Sequence, residues 1–153
     1  MKNNLISGNL LAETNIGNGI HCWKADSNSI ENNEVTNHRD GIYFEFVTNS
    51  KINKNISHQN LRYGLHFMFS HTNIYTNNKF SNNGAGVAVM YSHHVTMKNN
   101  LFDYNWGASA YGLLLKEIND SEISGNIFTY NSAAIYMEGS NRVNMTSNVF
   151  SNN

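Results

Sequence analysis

Two methionines and three histidines in this chain have the chemistry and the spacing to bind a soft metal ion. Met68 and Met90 are 22 residues apart, His71 and His93 are also 22 apart, and His66 lies two positions before Met68. Thioether sulfur and imidazole nitrogen suit Cu(I) and are poor ligands for Mg²⁺ or Ca²⁺. His66, Met68 and Met90 are therefore candidate copper ligands, and His71 and His93 are candidate ligands for copper or zinc, on condition that the fold aligns them.

The same residues have a simpler interpretation, which the sequence leaves open. Two exposed methionines make an adaptable apolar surface for a protein partner. Exposed histidines in a chain that contains seven are often solvated side chains. The choice depends on the elements that carry these residues.

Composition excludes several classes of partner. The chain has 153 residues, and its 10 Lys plus Arg and 11 Asp plus Glu give a net charge of -1. It therefore offers no basic surface to nucleic acid or to an anionic membrane. Its apolar runs are far shorter than the roughly 20 residues that span a bilayer, so we expect no direct membrane span. Cys22 is the single cysteine, so the chain forms no internal disulfide.

Asparagine supplies the repeat that organises the chain. There are 29 asparagines, and 40% of the residues are hydrophobic, which is far too many for a disordered polar segment. Most intervals in the repeat are 22 or 23 residues; one is 26, because four extra residues lie between Trp106 and Tyr111. One series comprises Asn33, Asn55, Asn78, Asn100, Asn126 and Asn148, and a second comprises Asn60, Asn83, Asn105, Asn131 and Asn153. Phe80, Phe102, Phe128 and Phe150 lie between the two series, and a small residue follows as Gly19, Gly41, Gly64, Gly86, Gly112 and Ala134.

A period of about 22 residues with short alternating segments predicts an all-β fold, a right-handed parallel β-helix (solenoid) of about six to seven coils. Residues 1–153 would form a single domain. Equivalent residues of successive coils lie about 4.8 Å apart, so the asparagines and phenylalanines form columns. We expect the column asparagines to adopt the left-handed backbone conformation of tight corners.

The alternation after each small residue assigns two faces. The inward face reads Ile20, Cys22, Ile42, Phe44, Leu65, Phe67, Val87, Val89, Leu113, Leu115, Ile135 and Met137. The outward face reads His21, Trp23, Tyr43, Glu45, His66, Met68, Ala88, Met90, Leu114, Lys116, Tyr136 and Glu138. Met68 and Met90 then become column neighbours on an exposed strip. Trp23, Tyr43, Leu114 and Tyr136 give that strip a surface for docking partner proteins.

A carbohydrate-binding or carbohydrate-active β-helix, such as a polysaccharide lyase, hydrolase or epimerase, is the alternative function. Glu45 and Glu138 share a column but lie four coils apart, roughly 19 Å, whereas paired glycosidase carboxylates are about 5 to 9.5 Å apart. Arg39, Asp40 and Arg62 form the best remaining cluster, which could hold a sugar carboxylate. An aspartate neutralising two stacked arginines is the simpler account of that cluster.

Four segments resemble the NosD family of nitrous oxide reductase maturation proteins. They are Arg62–His71 (RYGLHFMFSH), Gly86–Ser92 (GVAVMYS), Tyr111–Ile118 (YGLLLKEI) and Glu138–Ser140 (EGS). The resemblance runs from about Asp40 to Arg142. It implies a periplasmic copper-binding β-helix that is not an enzyme. It also implies three partners: an ATP-binding-cassette (ABC) transporter ATPase and permease, a copper-chaperone lipoprotein, and nitrous oxide reductase itself.

The resemblance strengthens the assignment of transient Cu(I) binding to His66, Met68 and Met90. The chain is shorter than full-length members of that family and carries no signal sequence. We therefore expect a fragment of a longer β-helix, whose end coils fray or aggregate when the chain is expressed alone.

Overall fold

The computed structural model describes residues 1–9, 15–107 and 110–153, and every element named within them is a β-strand. The strands form three sheets. Sheet 1 contains β1 (Leu5–Ser7), β4 (Glu34–Thr36), β7 (Ile56–His58), β10 (Lys79–Ser81), β13 (Leu101–Asp103), β16 (Ile127–Thr129) and β19 (Val149–Ser151). Sheet 2 contains β2 (Ile20–Trp23), β5 (Ile42–Glu45), β8 (Tyr63–Met68), β11 (Ala85–Met90), β14 (Leu113–Lys116) and β17 (Ile135–Glu138). Sheet 3 contains β3 (Ser29–Glu31), β6 (Lys51–Asn53), β9 (Ile74–Thr76), β12 (Thr96–Lys98), β15 (Asn119–Ser124) and β18 (Asn141–Thr146).

Each strand pairs in parallel with the equivalent strand of the next coil, and the chain visits the three sheets in turn. The predicted parallel β-helix is therefore confirmed, and sheets of seven, six and six strands match the predicted number of coils. The predicted columns are also present, since Phe80 pairs with Phe102, and Phe102 with Phe128.

The column asparagines form buried hydrogen-bonded ladders. Asn78 shows the pattern: its Oδ1 accepts from the backbone N–H and the side-chain amide of Asn55, at 2.9 and 3.0 Å. Its Nδ2 donates to the Ile52 carbonyl and to Oδ1 of Asn100, both at 3.0 Å. An amide that is 2% exposed thus satisfies all of its polar positions.

The prediction that the column asparagines adopt the left-handed conformation is wrong, because that conformation occurs one residue earlier in the chain. The positive φ belongs to the residue before each ladder asparagine, such as Asn77 with φ 56° before Asn78. Lys54 and Gln59 also take this position, with φ 56° and 55°, so it accepts several residue types. The ladder position selects asparagine because the amide both donates and accepts along the column.

Most of the inward face of the coils is buried as predicted. The four members from β8 and β11 are fully buried, and Phe44 packs edge-on against Phe67 with ring centroids 5.4 Å apart. Cys22 is only partly buried against this core. Met137 departs from the prediction, since it is 51% exposed in β17, the last strand of sheet 2.

The column of small residues keeps neighbouring coils close together. A Cβ added at Gly64 would lie 2.7 Å from the Gly86 carbonyl oxygen and 2.8 Å from Nδ2 of Asn83. Any larger residue would push two coils apart at the entrance to sheet 2.

Candidate metal site

The register of sheet 2 brings the two methionines side by side. Met68 at the end of β8 pairs with Met90 at the end of β11, and both side chains are half-buried. Glu45 lies on the other side of Met68 in the same row, and Lys116 lies beyond Met90. The two thioethers thus lie between a carboxylate on one side and an ammonium group on the other.

His66 lies on the same strand as Met68, but it is buried. It is only 4% exposed, so the sequence-based expectation that it lies on an exposed strip is wrong. Its ring stacks on Tyr43 at 4.7 Å between centroids, and Tyr63 leans on it at 4.8 Å. The strand does direct His66 outward, and the two tyrosines cover it. Ala88, its outward neighbour in the next coil, is also buried.

A buried carboxylate orients the His66 ring. Asp40 is 1% exposed, and its Oδ2 lies 3.3 Å from His66 Nδ1. Its Oδ1 lies 3.7 Å from Nε of Arg62, which is an ion-pair distance. The sequence grouped Asp40 with Arg39 and Arg62. The link to His66 was missed because 26 residues and a change of coil separate the two.

The second nitrogen of His66 lacks a hydrogen-bond partner. Nε2 is buried and makes no hydrogen bond within the residues that the structure describes. A metal-binding histidine usually presents one nitrogen to the metal while a carboxylate fixes the other. The Asp40–His66 pair has this arrangement, so His66 fits a metal ligand better than a solvated histidine.

An aromatic ladder borders the methionines, and sequence reasoning missed it. Phe46, Phe69 and Tyr91 directly follow Glu45, Met68 and Met90 in the chain, and each has a positive φ. Their rings stack at 5.3 and 5.0 Å between centroids, nearly parallel. The signal was present as three aromatic residues at the same repeat position.

The other two predicted ligands form a separate cluster. The rings of His71 and His93 stack with their centroids 3.8 Å apart. Nδ1 of His71 accepts a hydrogen bond from the backbone N–H of His93, with 3.3 Å between the two nitrogens. Nδ1 of His93 lies 2.7 Å from Nδ1 of His94. Burial lowers the pKa of His71, and the two neighbouring imidazoles add to this. These rings contact one another, and their metal role stays a prediction.

The described carboxylates, imidazoles and thiol do not group into a metal site by themselves. Within residues 1–9, 15–107 and 110–153, no group of three or more His, Cys, Asp or Glu side chains could hold a metal ion. A copper site among these described residues would therefore need donors of another kind. The methionine sulfurs are the donors available beside His66.

The predicted docking residues lie on sheet 2 in two rows. Tyr43, Leu114 and Tyr136 share the row of His66, whereas Trp23 shares the row of the methionines. Trp23 and Tyr136 are 59% and 42% exposed, and the other two are half-buried. Burial raises the pKa of Tyr43, and the Glu45 and Asp40 carboxylates add to this.

The outward carboxylates do not form a catalytic pair. Glu45 and Glu138 share a row, and β8, β11 and β14 lie between their strands. Glu138 instead lies 3.7 Å from Nζ of Lys116, which is a surface ion-pair distance. Asp40 is buried, so a polysaccharide chain could reach its carboxylate only if neighbouring side chains moved aside.

Comparison with known families decides the affiliation. The model of the family described as "Periplasmic copper-binding protein (NosD)" matches residues 2–153. The chain belongs to the NosD family. This NosD chain therefore comes from a family described as periplasmic and copper-binding, and its match covers the sheet 2 residues described above. No curated protein matches the sequence.

Solved structures similar to this NosD chain are parallel β-helix proteins. The periplasmic alginate epimerase AlgG matches with a TM-score of 0.64 and 18% identity, over 95% of this chain and 39% of that one. The tailspike protein gp49 of Pseudomonas phage LKA1 matches at 0.59 and 17%, over 92% and 26%. An alginate lyase from Paenibacillus sp. str. FPU-7 matches at 0.55 and 12%, over 95% and 79%.

These likenesses show the fold alone. The NosD chain spans about two fifths of the length of the epimerase. That the chain is one domain of a longer β-helix stays a prediction. Among the described residues, no helix is long and apolar enough to cross a membrane.

Proposed function

We propose that this chain is the copper-handling part of a periplasmic accessory protein for nitrous oxide reductase maturation. It holds Cu(I) as cargo on Met68, Met90 and His66. The observation that carries the proposal is the buried, unpaired Nε2 of His66, whose other nitrogen faces Asp40, on the same strand as one of two paired methionines. The family description supports copper as the metal.

The side chains can reach a common point. Two residues along a strand are about 6.6 Å apart, and neighbouring coils are about 4.8 Å apart. Methionine has three flexible side-chain torsions, so both sulfurs can turn toward the imidazole. Two thioethers and one imidazole form a soft ligand set that selects Cu(I) over hard cations.

The environment of the site suits transfer rather than storage. Met68 and Met90 are half-buried, so a copper-carrying partner can approach their sulfurs from solvent. Asp40 fixes the orientation of the His66 ring through Nδ1, and Tyr43 stacks on that ring. A fixed nitrogen combined with accessible, adaptable sulfurs allows ligands to be exchanged one at a time.

Anaerobic competition with a chromophoric Cu(I) chelator tests this site. The double variant Met68→Leu/Met90→Leu removes both sulfurs and nearly conserves side-chain volume, so the coil packing should survive. We expect the wild-type chain to take one Cu(I) from the chelator and the double variant to lose at least 100-fold in affinity. Met137→Leu is the matched control, since it removes an exposed thioether elsewhere on sheet 2.

Two results would contradict the copper site. One is unchanged Cu(I) affinity in the double variant with intact far-UV circular dichroism. The other is a folded wild-type chain that does not compete with the chelator at all.

For partners, we propose that the outward face of sheet 2 docks the copper-chaperone lipoprotein, and that the accessory protein serves nitrous oxide reductase together with the ABC transporter. Trp23 and Tyr136 are the most exposed of the four docking residues. The double variant Trp23→Ala/Tyr136→Ala should slow copper transfer from the lipoprotein while leaving Cu(I) affinity unchanged. Equal transfer rates would remove these residues from the docking surface.

Carbohydrate chemistry is the second candidate function, and one observation favours it. Asp40 and His66 form a buried carboxylate–imidazole pair beside Arg62, a combination that can move a proton near a sugar carboxylate. An alginate lyase or epimerase assay tests it. Turnover that is lost in Arg62→Ala and kept in the double methionine variant would favour this candidate over copper handling.

A further inference from the structure

A continuous groove lies along one corner of the solenoid, away from the methionine row. Its larger part, about 550 Å³, is lined by Gln59, Asn60, Leu61, Asn82, Asn83, Gly84, Tyr104 and Trp106. A smaller part of about 250 Å³ shares Leu61, Gly84 and Trp106 and extends to Arg62 and Tyr63. Trp106 thus lines both depressions, which adjoin each other.

The groove occurs where the repeat is interrupted. The four extra residues of the chain lie between Trp106 and Tyr111, and this is the single place where the interval reaches 26. Trp106, at the start of this insertion, is 60% exposed. The repeat does not require a large aromatic side chain at this position, so the exposure of Trp106 to solvent beside two regular coils needs another explanation.

Gly84 keeps the floor of the groove low. A Cβ at this position would lie 2.5 Å from the Leu61 carbonyl oxygen and 2.8 Å from that of Arg62. Both contacts are with backbone, so no side chain could move aside to make room. The glycine therefore preserves the depression beneath Trp106.

Backbone N–H groups along the floor of the groove are already used in hydrogen bonds between coils. The N–H groups of Leu61, Arg62, Gly84 and Ala85 donate to carbonyls of the preceding coil at 2.6–3.2 Å. A peptide that binds by adding a strand needs free backbone groups at a sheet edge. The N–H groups that strand addition would use are occupied here, which favours recognition of a ligand through side chains.

The available side chains are exposed aromatic and amide groups. Trp106 and Tyr104 are 60% and 47% exposed, and Asn82 and Gln59 also face solvent. An indole offers a broad apolar surface to the C–H face of a sugar ring, while amides donate to and accept from hydroxyls. From this combination we propose that the groove binds a polysaccharide chain, with one sugar ring against Trp106 and its hydroxyls on Asn82.

This binding site lies apart from the two methionines, although Arg62 and Tyr63 at its edge also contact Asp40 and His66. The groove lies at the start of β8 and β11, whereas Met68 and Met90 end these strands. Its volume of about 550 Å³ falls within the roughly 300–1,000 Å³ of typical ligand sites. The function it adds is attachment of the protein to a glycan, with no bond broken.

Isothermal titration with defined glycans tests the proposal. The probes are hexamers of mannuronate, of guluronate and of neutral β-linked glucose. The chain offers an unusually well matched pair of variants, since Trp23 and Trp106 are its two tryptophans and are 59% and 60% exposed. We expect Trp106→Ala to weaken glycan binding at least tenfold and Trp23→Ala to leave it unchanged.

Selective excitation of tryptophan in a Trp23→Phe background isolates the emission of Trp106, which is then the single tryptophan. Saturable change of its emission with at least one hexamer supports the proposal, and Arg62→Gln then shows whether a uronate carboxylate contributes. Failure of all three hexamers to bind the folded protein would overturn it, as would equal binding by Trp106→Ala. Cu(I) competition by the same variants separates the two functions, because Trp106→Ala should retain wild-type copper affinity.

Discussion

Replacement of one ladder asparagine by alanine should lower the stability of the solenoid by more than the small change in side-chain size suggests. In Asn78→Ala, the backbone N–H of Asn55 and one N–H of its side-chain amide lose their shared acceptor, Oδ1 of Asn78. Both donors are buried, since Asn55 is 1% exposed. The Ile52 carbonyl and Oδ1 of Asn100 also lose a donor.

The expected magnitude follows from the two orphaned donors. A buried polar group left without a partner costs about 1–3 kcal/mol, so two cost about 2–6 kcal/mol. A water molecule that enters the gap would recover part of this loss. We therefore expect Asn78→Ala to lower the free energy of unfolding by about 3 kcal/mol.

Urea denaturation followed by far-UV circular dichroism measures this change. The midpoint gives the stability, and an unchanged slope shows that the unfolding transition is comparable in the two proteins. Asn144→Ala in β18 is the control, since its side chain is exposed and surface substitutions usually change stability by less than about 0.5 kcal/mol. A loss below about 1 kcal/mol for Asn78→Ala would refute the claim that the amide ladder holds the coils together.

Three further predictions follow from the described contacts. Asp40→Asn should weaken Cu(I) binding about tenfold without abolishing it, because a carboxylate hydrogen-bonded to a ligating histidine contributes about 10–100-fold to metal affinity. Chelator competition measures this affinity. An unchanged affinity would show that Asp40 does not support a metal role of His66. Gly64→Ala should lower the urea midpoint sharply, because the added Cβ meets a backbone oxygen of the next coil at 2.7 Å; a wild-type midpoint would show that the coils can shift at no cost. The pKa of His71 is lowered in the folded chain, so near that pKa the unfolded chain binds more protons, and the free energy of unfolding should fall as the pH drops through about 6.5. His71→Gln should flatten this part of the curve of unfolding free energy against pH. An unchanged curve would contradict the effect of burial on His71.

The architecture was predictable from the sequence because its determinants are columns of identical residues. Asn78 and Phe80 recur at a fixed interval, and a parallel β-helix is the fold in which such residues touch. Alternation then separated the buried Phe67 from the outward Met68. These inferences need the period and the direction of side chains, and no detail of rotamers.

The candidate site was only partly predictable, because its contacts cross between coils at positions that do not repeat. His66 alternates outward, yet Tyr43 and Tyr63 cover it through ring packing that no local pattern encodes. Asp40 reaches it across a coil boundary. The groove beside Trp106 lies next to an insertion in the repeat, for which the other coils offer no template.

X-ray absorption spectroscopy of the Cu(I)-loaded chain tests the copper proposal most directly, because it identifies the ligand atoms themselves. The proposal predicts two sulfur scatterers and one nitrogen scatterer, with the imidazole signature of His66. Both sulfurs should disappear in Met68→Leu/Met90→Leu and remain in Met137→Leu. A first shell of nitrogen and oxygen alone in the wild-type chain would contradict the proposed methionine site.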